Sequence, residues 1–363
     1  MSSSYYVGLM SGTSLDGIDA ALTDFSRSPM LIGTAFTAFD NTRRADLLAL
    51  NAPGENELHR AAVLANQLTC SYAEIVNQLL TQTEIVPSQI LGIGCHGQTV
   101  RHCPQDGYSI QLVNSSLLAE LTGITVISDF RNRDIAAGGQ GAPLVPAFHQ
   151  AVFSHPHTHR LIINIGGIAN ITSLPPKSDV TGFDCGPGNM LMDAWCHQHT
   201  GVAYDHNGNW AKSGNIIPHL LEKLLTSPYI TQTPPKSTGR ELFHLDWLAT
   251  LLSGSERPED VQATLLSFTV EAMKHAIMTW YPCAEELYLC GGGAHNTALI
   301  MMLRETIPHH KIELTDALGI PIDWVEACAF AWLAQRTIEG LPGNLPAVTG
   351  ASGARILGTI HHA

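Results

Sequence analysis

Two short glycine turns, each set between apolar runs, constrain this chain more than any other feature. Tyr5 to Met10 is an apolar run that ends in the turn-forming stretch Ser11-Gly-Thr-Ser-Leu-Asp-Gly17, and an apolar pattern resumes over Ile18 to Phe25. The same order returns much later as Leu161 to Ile165, then Gly166 and Gly167, then Ile168 to Leu174. Each reads as strand, glycine loop, strand. A pattern repeated at that distance predicts two related halves, each opening on a hairpin.

The remaining elements fit alternating layers. In the first half, Glu57 to about Gln82 has helical periodicity, with Leu58, Ala61, Ala62, Ala65, Leu68, Tyr72, Ile75, Val76 and Leu79 on one face, and a buried strand follows over Ile90 to Cys95. In the second, Val180 to Asp184 is strand-like, Asn189 to His199 and Val261 to Trp280 are helical, and Glu286 to Cys290 is a strand running into Gly291, Gly292 and Gly293. Pro228 to Gly239 reads as a long loop and candidate flap, Trp324 to Ile338 as a helix, and Gly340 to Gly353 as a tail of ordered loop. Strands alternating with helices predict an α/β protein, and the duplicated hairpin predicts two related domains facing a cleft.

Charge excludes some functions. The chain has 363 residues, only 19 Lys plus Arg against 32 Asp plus Glu, and a net charge of −13. Phosphate-backbone affinity needs clustered cations, so a nucleic-acid partner is not expected. The N-terminus lacks the basic and apolar regions of a signal peptide and no window is long and apolar enough for a membrane span, so a cytoplasmic location is expected. Cys70, Cys95, Cys103, Cys185, Cys196, Cys283, Cys290 and Cys328 form no Cys-x-x-Cys pair and read as reduced, mostly buried thiols.

Familiar signatures are absent or out of context. There is no P-loop motif and no Gly-x-Ser-x-Gly elbow. Gly92, Gly94 and Gly97 match Gly-x-Gly-x-x-Gly, but no helical periodicity follows to aim amides at a pyrophosphate. Neither Cys95, His96, His102 and Cys103 nor His155, His157 and His159 have zinc spacing.

What remains is more specific. In the first loop, glycines let backbone amides approach phosphate oxygens, Thr13 and Ser14 add hydroxyl donors, and Asp16 can hold a magnesium-bound water. An ordinary hairpin loop is the plain alternative, weakened by the recurrence in Gly166-Gly-Ile-Ala-Asn170. Two such loops can clasp β and γ phosphates from opposite sides of a cleft. Gly291-Gly-Gly-Ala-His-Asn296 follows a strand and offers bare backbone to a base or ribose. Asp184, ending an apolar strand, suits a general base or a helix N-cap. Arg131 and Arg133 can grip a carboxylate, or pair with Asp129 and Asp134.

These residues together resemble a known family. Gly8-Leu-Met-Ser-Gly-Thr-Ser-Leu-Asp-Gly-Ile-Asp19, His96-Gly-Gln-Thr99, Asp129-Phe-Arg131, Ala137-Gly-Gly-Gln-Gly-Ala-Pro143, Asn164-Ile-Gly-Gly-Ile-Ala-Asn170 and Gly182-Phe-Asp184 are similar to the anhydro-N-acetylmuramic acid kinases. Pro234-Pro-Lys-Ser-Thr-Gly-Arg-Glu241, Val325-Glu-Ala-Cys-Ala-Phe-Ala-Trp332 and Gly343-Asn-Leu-Pro-Ala-Val-Thr-Gly350 extend the resemblance over essentially the whole chain. It implies the actin, Hsp70 and hexokinase-like ATPase fold: two ribonuclease H-like domains with a nucleotide cleft between them. Residues 1–152, joined by the helix at about 323–339, would carry the first phosphate loop and the sugar contacts. Residues 153–322 would carry the second loop, the base and the adenosine site, and 340–363 an ordered tail.

The resemblance further implies a step in peptidoglycan recycling, in which ATP and water convert 1,6-anhydro-N-acetylmuramic acid to N-acetylmuramic acid 6-phosphate and ADP. Asp184 would be the base, Arg131 the partner of the lactyl carboxylate, and Glu326 a contact of the sugar or attacking water, with His96 and Thr99 near the cleft. Gly12, Thr13, Ser14, Asp16, Gly17, Gly166, Gly167, Asn170, Gly291, Gly292, Gly293 and Asn296 would bind ATP, with magnesium at Asp16 through water. A homodimer is implied. Apart from the resemblance, Glu326 at a helix start reads first as a solvent-facing first-turn acid. Cys185 stands where the family commonly has threonine, and Cys328 is a similar local departure; both affect hydroxyl contacts rather than the chemistry. Two other readings compete: a kinase of an ordinary hexose hydroxyl, and an ATP-driven switch that binds a partner.

Overall fold

In the computed structural model, which describes residues 5–12, 14–27, 30–239 and 242–363, both glycine turns lie between antiparallel strands. The chain divides into two units, Met1–Val152 with Trp324–Ala363, and Phe153–Asp323.

In the first unit, β1 (Tyr5–Ser11) pairs antiparallel with β2 (Gly17–Asp24), which pairs antiparallel with β3 (Leu31–Ala38). On its other side β1 pairs in parallel with β4 (Ile90–Cys103). The far half of β4 is paired antiparallel by β5 (Tyr108–Leu112), and its near half in parallel by β6 (Val126–Ser128). The terminal strand Thr359–His361 lies antiparallel against β6.

Successive side chains of a strand face opposite ways. Val7 and Leu9 enter a core with Ile18 and Leu22 and with Leu68, Tyr72, Val76 and Leu79 of the helix Glu57–Thr83. Gly8 therefore faces the other layer, where the helix Val325–Ile338 lies so close that a Cβ on Gly8 would collide with the Ala327 carbonyl. Gly94 of β4 meets Phe330 of that helix in the same way. Two strand positions without side chains thus let backbone sit on backbone.

Two expectations change here. The helix at Glu57 begins as expected, but Leu58 is 89% exposed and Ala62 is also exposed, while Leu64 is buried. The sheet underlies only the later turns. The strand at Ile90 does not stop at Cys95 but runs to Cys103, so Gly92, Gly94 and Gly97 lie inside a strand and open no helix.

The second unit repeats the pattern. β7 (Arg160–Ile165), β8 (Ile168–Leu174) and β9 (Thr181–Pro187) form an antiparallel meander. β10 (Glu286–Cys290) joins β7 in parallel, and β11 (Lys311–Leu314) joins β10. The order β11-β10-β7-β8-β9 corresponds to β6-β4-β1-β2-β3 of the first unit. The expected duplicated α/β architecture is therefore present in both sheets. The helix Pro258–Trp280 supplies much of this unit's core through Val261, Leu265, Phe268 and Met273. Within the expected loop from Pro228, a helical turn forms over Pro228–Thr231, and in the tail another forms over Pro346–Thr349. Among the described residues, no helix is long and apolar enough to cross a membrane.

Candidate active site

The first glycine loop is tied down through its carbonyls. Gly12 O accepts from Gln98 Nε2 at 3.1 Å and from Leu15 N at 3.2 Å, and Asp16 O accepts from Phe39 N at 3.0 Å. Ser11, just before the turn, shares a buried 2.7 Å hydrogen bond with Tyr72 OH, and burial pushes that phenol's pKa up. With its carbonyls engaged inward, the loop keeps Ser14 and Asp16 exposed. Thr13 lies outside the described residues.

The second loop follows the same logic. Gly166 O accepts from Asn189 N at 2.9 Å, and Gly167 O from Gly188 N at 2.9 Å and Met190 N at 3.2 Å. A Cβ on Gly166 would find its nearest neighbour at 3.6 Å, and one on Gly167 at 3.5 Å, so neither glycine is demanded by the protein's own packing. Gly12 and Gly292 have comparable room. Gly17, Gly291 and Gly293 do not: a Cβ on Gly17 would meet Thr37 and Phe36, and one on either of the others would strike Asn164 or Ile165. Those three have a structural reason to be glycine. Asn296 caps the helix Thr297–Thr306, its Oδ1 accepting from Leu299 N at 3.1 Å.

Asp184 lies inside β9 rather than at its end, opposite Asn170 of β8. Its Oδ2 accepts from Ser237 Oγ at 2.8 Å and Thr238 N at 3.0 Å, and its carbonyl accepts from Tyr229 OH at 2.8 Å. The segment carrying those donors is anchored by Lys236. Its buried ammonium donates to Tyr229 O at 2.8 Å and Ile230 O at 3.0 Å, and lies over the Tyr229 and Phe183 rings. Burial lowers the Lys236 pKa, opposed by Cys185 and Asp184. The neighbouring Cys185 thiol is pushed up by burial and by Asp184, which keeps it protonated.

In the first unit His96, Arg131 and Glu326 come together. Arg131 pairs with neither Asp129 nor Asp134. Its Nε and Nη2 point at His96 Nε2 at 3.3 and 2.8 Å, and Nη1 donates to Gly141 O at 2.8 Å. Burial, and next the adjacent Arg131 cation, push the His96 pKa down to about 3, so its Nε2 is an unprotonated acceptor. Burial pushes Arg131 down to about 10, with Glu326 opposing, and the side chain stays cationic at neutral pH. Glu326, in the first turn of its helix, is pushed up by burial and pulled back by Arg131. It is half-buried and near enough to Arg131 for the two charges to influence each other.

Of the guanidinium N–H groups, the one on Nε, one on Nη2 and one on Nη1 are engaged, which leaves one on each terminal nitrogen. Both have no partner among the described residues, and guanidinium donors of this kind can take a carboxylate. Thr99 is placed differently, its Oγ1 accepting from Gln111 Nε2 at 3.2 Å across the β4–β5 ladder.

Sequence reading assigned no role to Lys236, Ser237 or Thr238. A lysine and two hydroxyls behind a pair of prolines were the available signal. Arg133 is exposed and takes no part in the Arg131 group.

With this geometry in view, comparison with known proteins is specific. The family model for anhydro-N-acetylmuramic acid kinase matches residues 4–363. A protein of Nitrosomonas europaea named anhydro-N-acetylmuramic acid kinase is 64% identical over 362 residues, covering 99% of this chain and 100% of that one. One of the same name from Nitrosospira multiformis is 57% identical over 366 residues, covering all of both. Among solved structures, component A of the Acidaminococcus fermentans (R)-2-hydroxyglutaryl-CoA dehydratase is similar at 13% identity and a TM-score of 0.48, over 93% of this chain and 100% of that one. A ROK family glucokinase from Streptomyces griseus, in complex with glucose and AMPPNP, is similar at 12% identity and a TM-score of 0.39, over 92% of this chain and 99% of the other.

Proposed function

The chain belongs to the anhydro-N-acetylmuramic acid kinase family, and from that premise we propose how its residues divide the work. The reaction takes ATP, water and 1,6-anhydro-N-acetylmuramic acid to N-acetylmuramic acid 6-phosphate and ADP. Asp184 takes a proton from water as the water oxygen bonds to the anomeric carbon. The bond from that carbon to the 6-oxygen breaks, and its electron pair stays on the 6-oxygen. That oxygen attacks the γ-phosphorus, and the electrons of the breaking P–O bond leave with ADP. Because phosphorus captures the leaving oxygen, no separate general acid is required. Ser237 and Thr238 aim the carboxylate, which supports the base role.

The observation that carries the substrate assignment is the pair of Arg131 N–H groups, one on each terminal nitrogen, that have no partner among the described residues. A lactyl carboxylate distinguishes this amino sugar from an ordinary hexose, and a fixed guanidinium with one donor left on each terminal nitrogen is built for it. Glu326 beside it takes a sugar hydroxyl or the attacking water, with His96 and Thr99 completing the sugar side. Residues 1–152 with the helix at about 323–339 supply the sugar contacts and the Gly12, Thr13, Ser14 and Gly17 phosphate loop. Residues 153–322 supply Asp184, the Gly166, Gly167 and Asn170 loop, and the adenosine site at Gly291, Gly292, Gly293 and Asn296.

Magnesium fits Asp16. Its exposed carboxylate takes part in no hydrogen bond or ion pair among the described residues, and magnesium commonly uses one carboxylate through water together with substrate phosphates. When bound it neutralises phosphate charge. We also propose that the enzyme works in the cytoplasm as a homodimer, without nucleic-acid or membrane partners. The scarcity of Lys and Arg supports the exclusion of nucleic acid.

Oxygen-18 water tests the reaction. Label should appear on the anomeric oxygen of the product. Its absence there, with phosphorylation intact, would sink the ring-opening mechanism and favour an ordinary hexose kinase.

A further inference from the structure

Asp134 is a fully buried carboxylate that no cation pairs with among the described residues, although Arg131 and Arg133 are close by in sequence. Its partners are neutral. Oδ1 accepts from Asn344 Nδ2 at 2.6 Å and Thr349 Oγ1 at 2.7 Å, and Oδ2 accepts from Gly141 N at 2.8 Å. Burying a charge among neutral donors is costly, and it persists where the donors satisfy the carboxylate and something depends on their geometry. The dependent group is Gly141. Its N–H goes to Asp134 and its carbonyl receives Arg131 Nη1 at 2.8 Å, so one residue joins the buried acid to the guanidinium through its two flanking peptide groups. Gly141 has φ of 66°, a conformation that suits glycine, and a Cβ there would strike Ile135. The tail is laced to the same loop by Gln140 N to Thr349 O and Ser352 N to Ala137 O, each at 2.8 Å.

We propose that Asp134, Asn344 and Thr349 are positioning residues that hold Gly141, and through it Arg131, so that the two remaining guanidinium N–H groups select a sugar bearing a carboxylate. Their role is specificity rather than chemistry, since each acts through Arg131. The inference rests on the reading of Arg131 as the carboxylate anchor.

The test compares 1,6-anhydro-N-acetylmuramic acid with 1,6-anhydro-N-acetylglucosamine, which lacks the lactyl group. For each variant, kcat and KM are measured for sugar and ATP, with an inhibition constant where the second sugar is not turned over. Arg131→Ala should erase the preference for the acidic sugar. Thr349→Val, which removes the hydroxyl at constant shape, should reduce that preference on the order of tenfold through the sugar KM, leaving the ATP KM in place. Asn344→Ala should do the same, and Thr349→Ser should restore it. If Arg131→Ala lowers the preference but Thr349→Val and Asn344→Ala change only the unfolding temperature, or weaken both sugars equally, the positioning role is overturned. If Arg131→Ala leaves the preference intact, the anchor reading fails and the positioning role falls with it.

Discussion

Gly167→Ala separates a glycine kept for a ligand from one kept for the fold. A methyl at Gly167 would lie 3.5 Å from its nearest neighbour, Met190 Cβ, and one at Gly166 would lie 3.6 Å from Ile168 O, which are ordinary contacts. Neither glycine has a positive φ, so alanine adopts the same backbone. Restricting the unfolded chain should then stabilise the protein by about 0.4–1 kcal/mol. That corresponds to roughly 1–4 °C in unfolding temperature for a domain of this size. Gly8→Ala is the control: its methyl would collide with the Ala327 carbonyl and must push a helix off the sheet, at a cost of about 3 kcal/mol or more. In steady-state assays at saturating sugar, Gly167→Ala should raise the ATP KM about tenfold or more, equivalent to about 1.4 kcal/mol, because the methyl occupies the approach of a phosphate oxygen to the amide. A lowered unfolding temperature for Gly167→Ala would refute the steric reasoning. An unchanged ATP KM in a stable Gly167→Ala protein would remove that loop from the phosphate site.

Asp184→Asn should abolish turnover while leaving nucleotide affinity near normal, since a base acts only in the chemical step; isothermal titration with ATP beside turnover assays checks both halves. Ser237→Ala removes one of the donors aiming Asp184, and should lower kcat by about tenfold with little change in either KM. Equal losses from Ser237→Ala and Asp184→Asn would mean that Ser237 does more than aim the base. Stability should fall in mild acid. Burial holds His96 and His149 at about 3, against 6.5 for an exposed histidine, so between those values the unfolded chain binds more protons. Each histidine then removes up to about 1.4 kcal/mol per pH unit as pH drops below 6.5, and denaturant midpoints should show it. His149→Gln should make the slope shallower, and a flat profile from pH 6.5 to 5 would contradict neutral burial of both.

The parts of the molecule visible in sequence are those set by near neighbours. The two glycine hairpins and the helix ending at Thr83 announce themselves through local periodicity, and they stand where expected. Periodicity alone overran at Leu58, because an apolar stripe can continue past the sheet that would cover it. Near neighbours leave the partners of Arg131 open between a ligand carboxylate and Asp129 or Asp134, and the structure excludes the second. Asp129 and Asp134 are adjacent in sequence, but Asp129, at φ of 57°, accepts from Asn132 Nδ2, and Asp134 turns to residues more than 200 positions away. Long-range hydrogen bonds leave no periodic trace. Asp184 was recognised as a candidate base, but not the donors that hold it, since Ser237 and Thr238 reach it from another segment.

The discontinuous first unit has a consequence for the order in which a ribosome makes this enzyme. The second unit is one unbroken stretch, Phe153–Asp323, and all of its strands are present once that stretch has emerged. The first unit is begun earlier and finished later, because Glu326, Asn344, Thr349 and the edge strand at Thr359 are translated after the whole of the second unit. Until then, Gly8 and Gly94 lack the helix that packs on them, and Arg131 lacks the brace behind Gly141. At about 5–20 residues per second, synthesis leaves that sheet uncovered for on the order of ten seconds or more. A nascent chain stalled before residue 324 has emerged would carry a complete second unit and an Arg131 whose loop is not yet tied to Asn344 and Thr349.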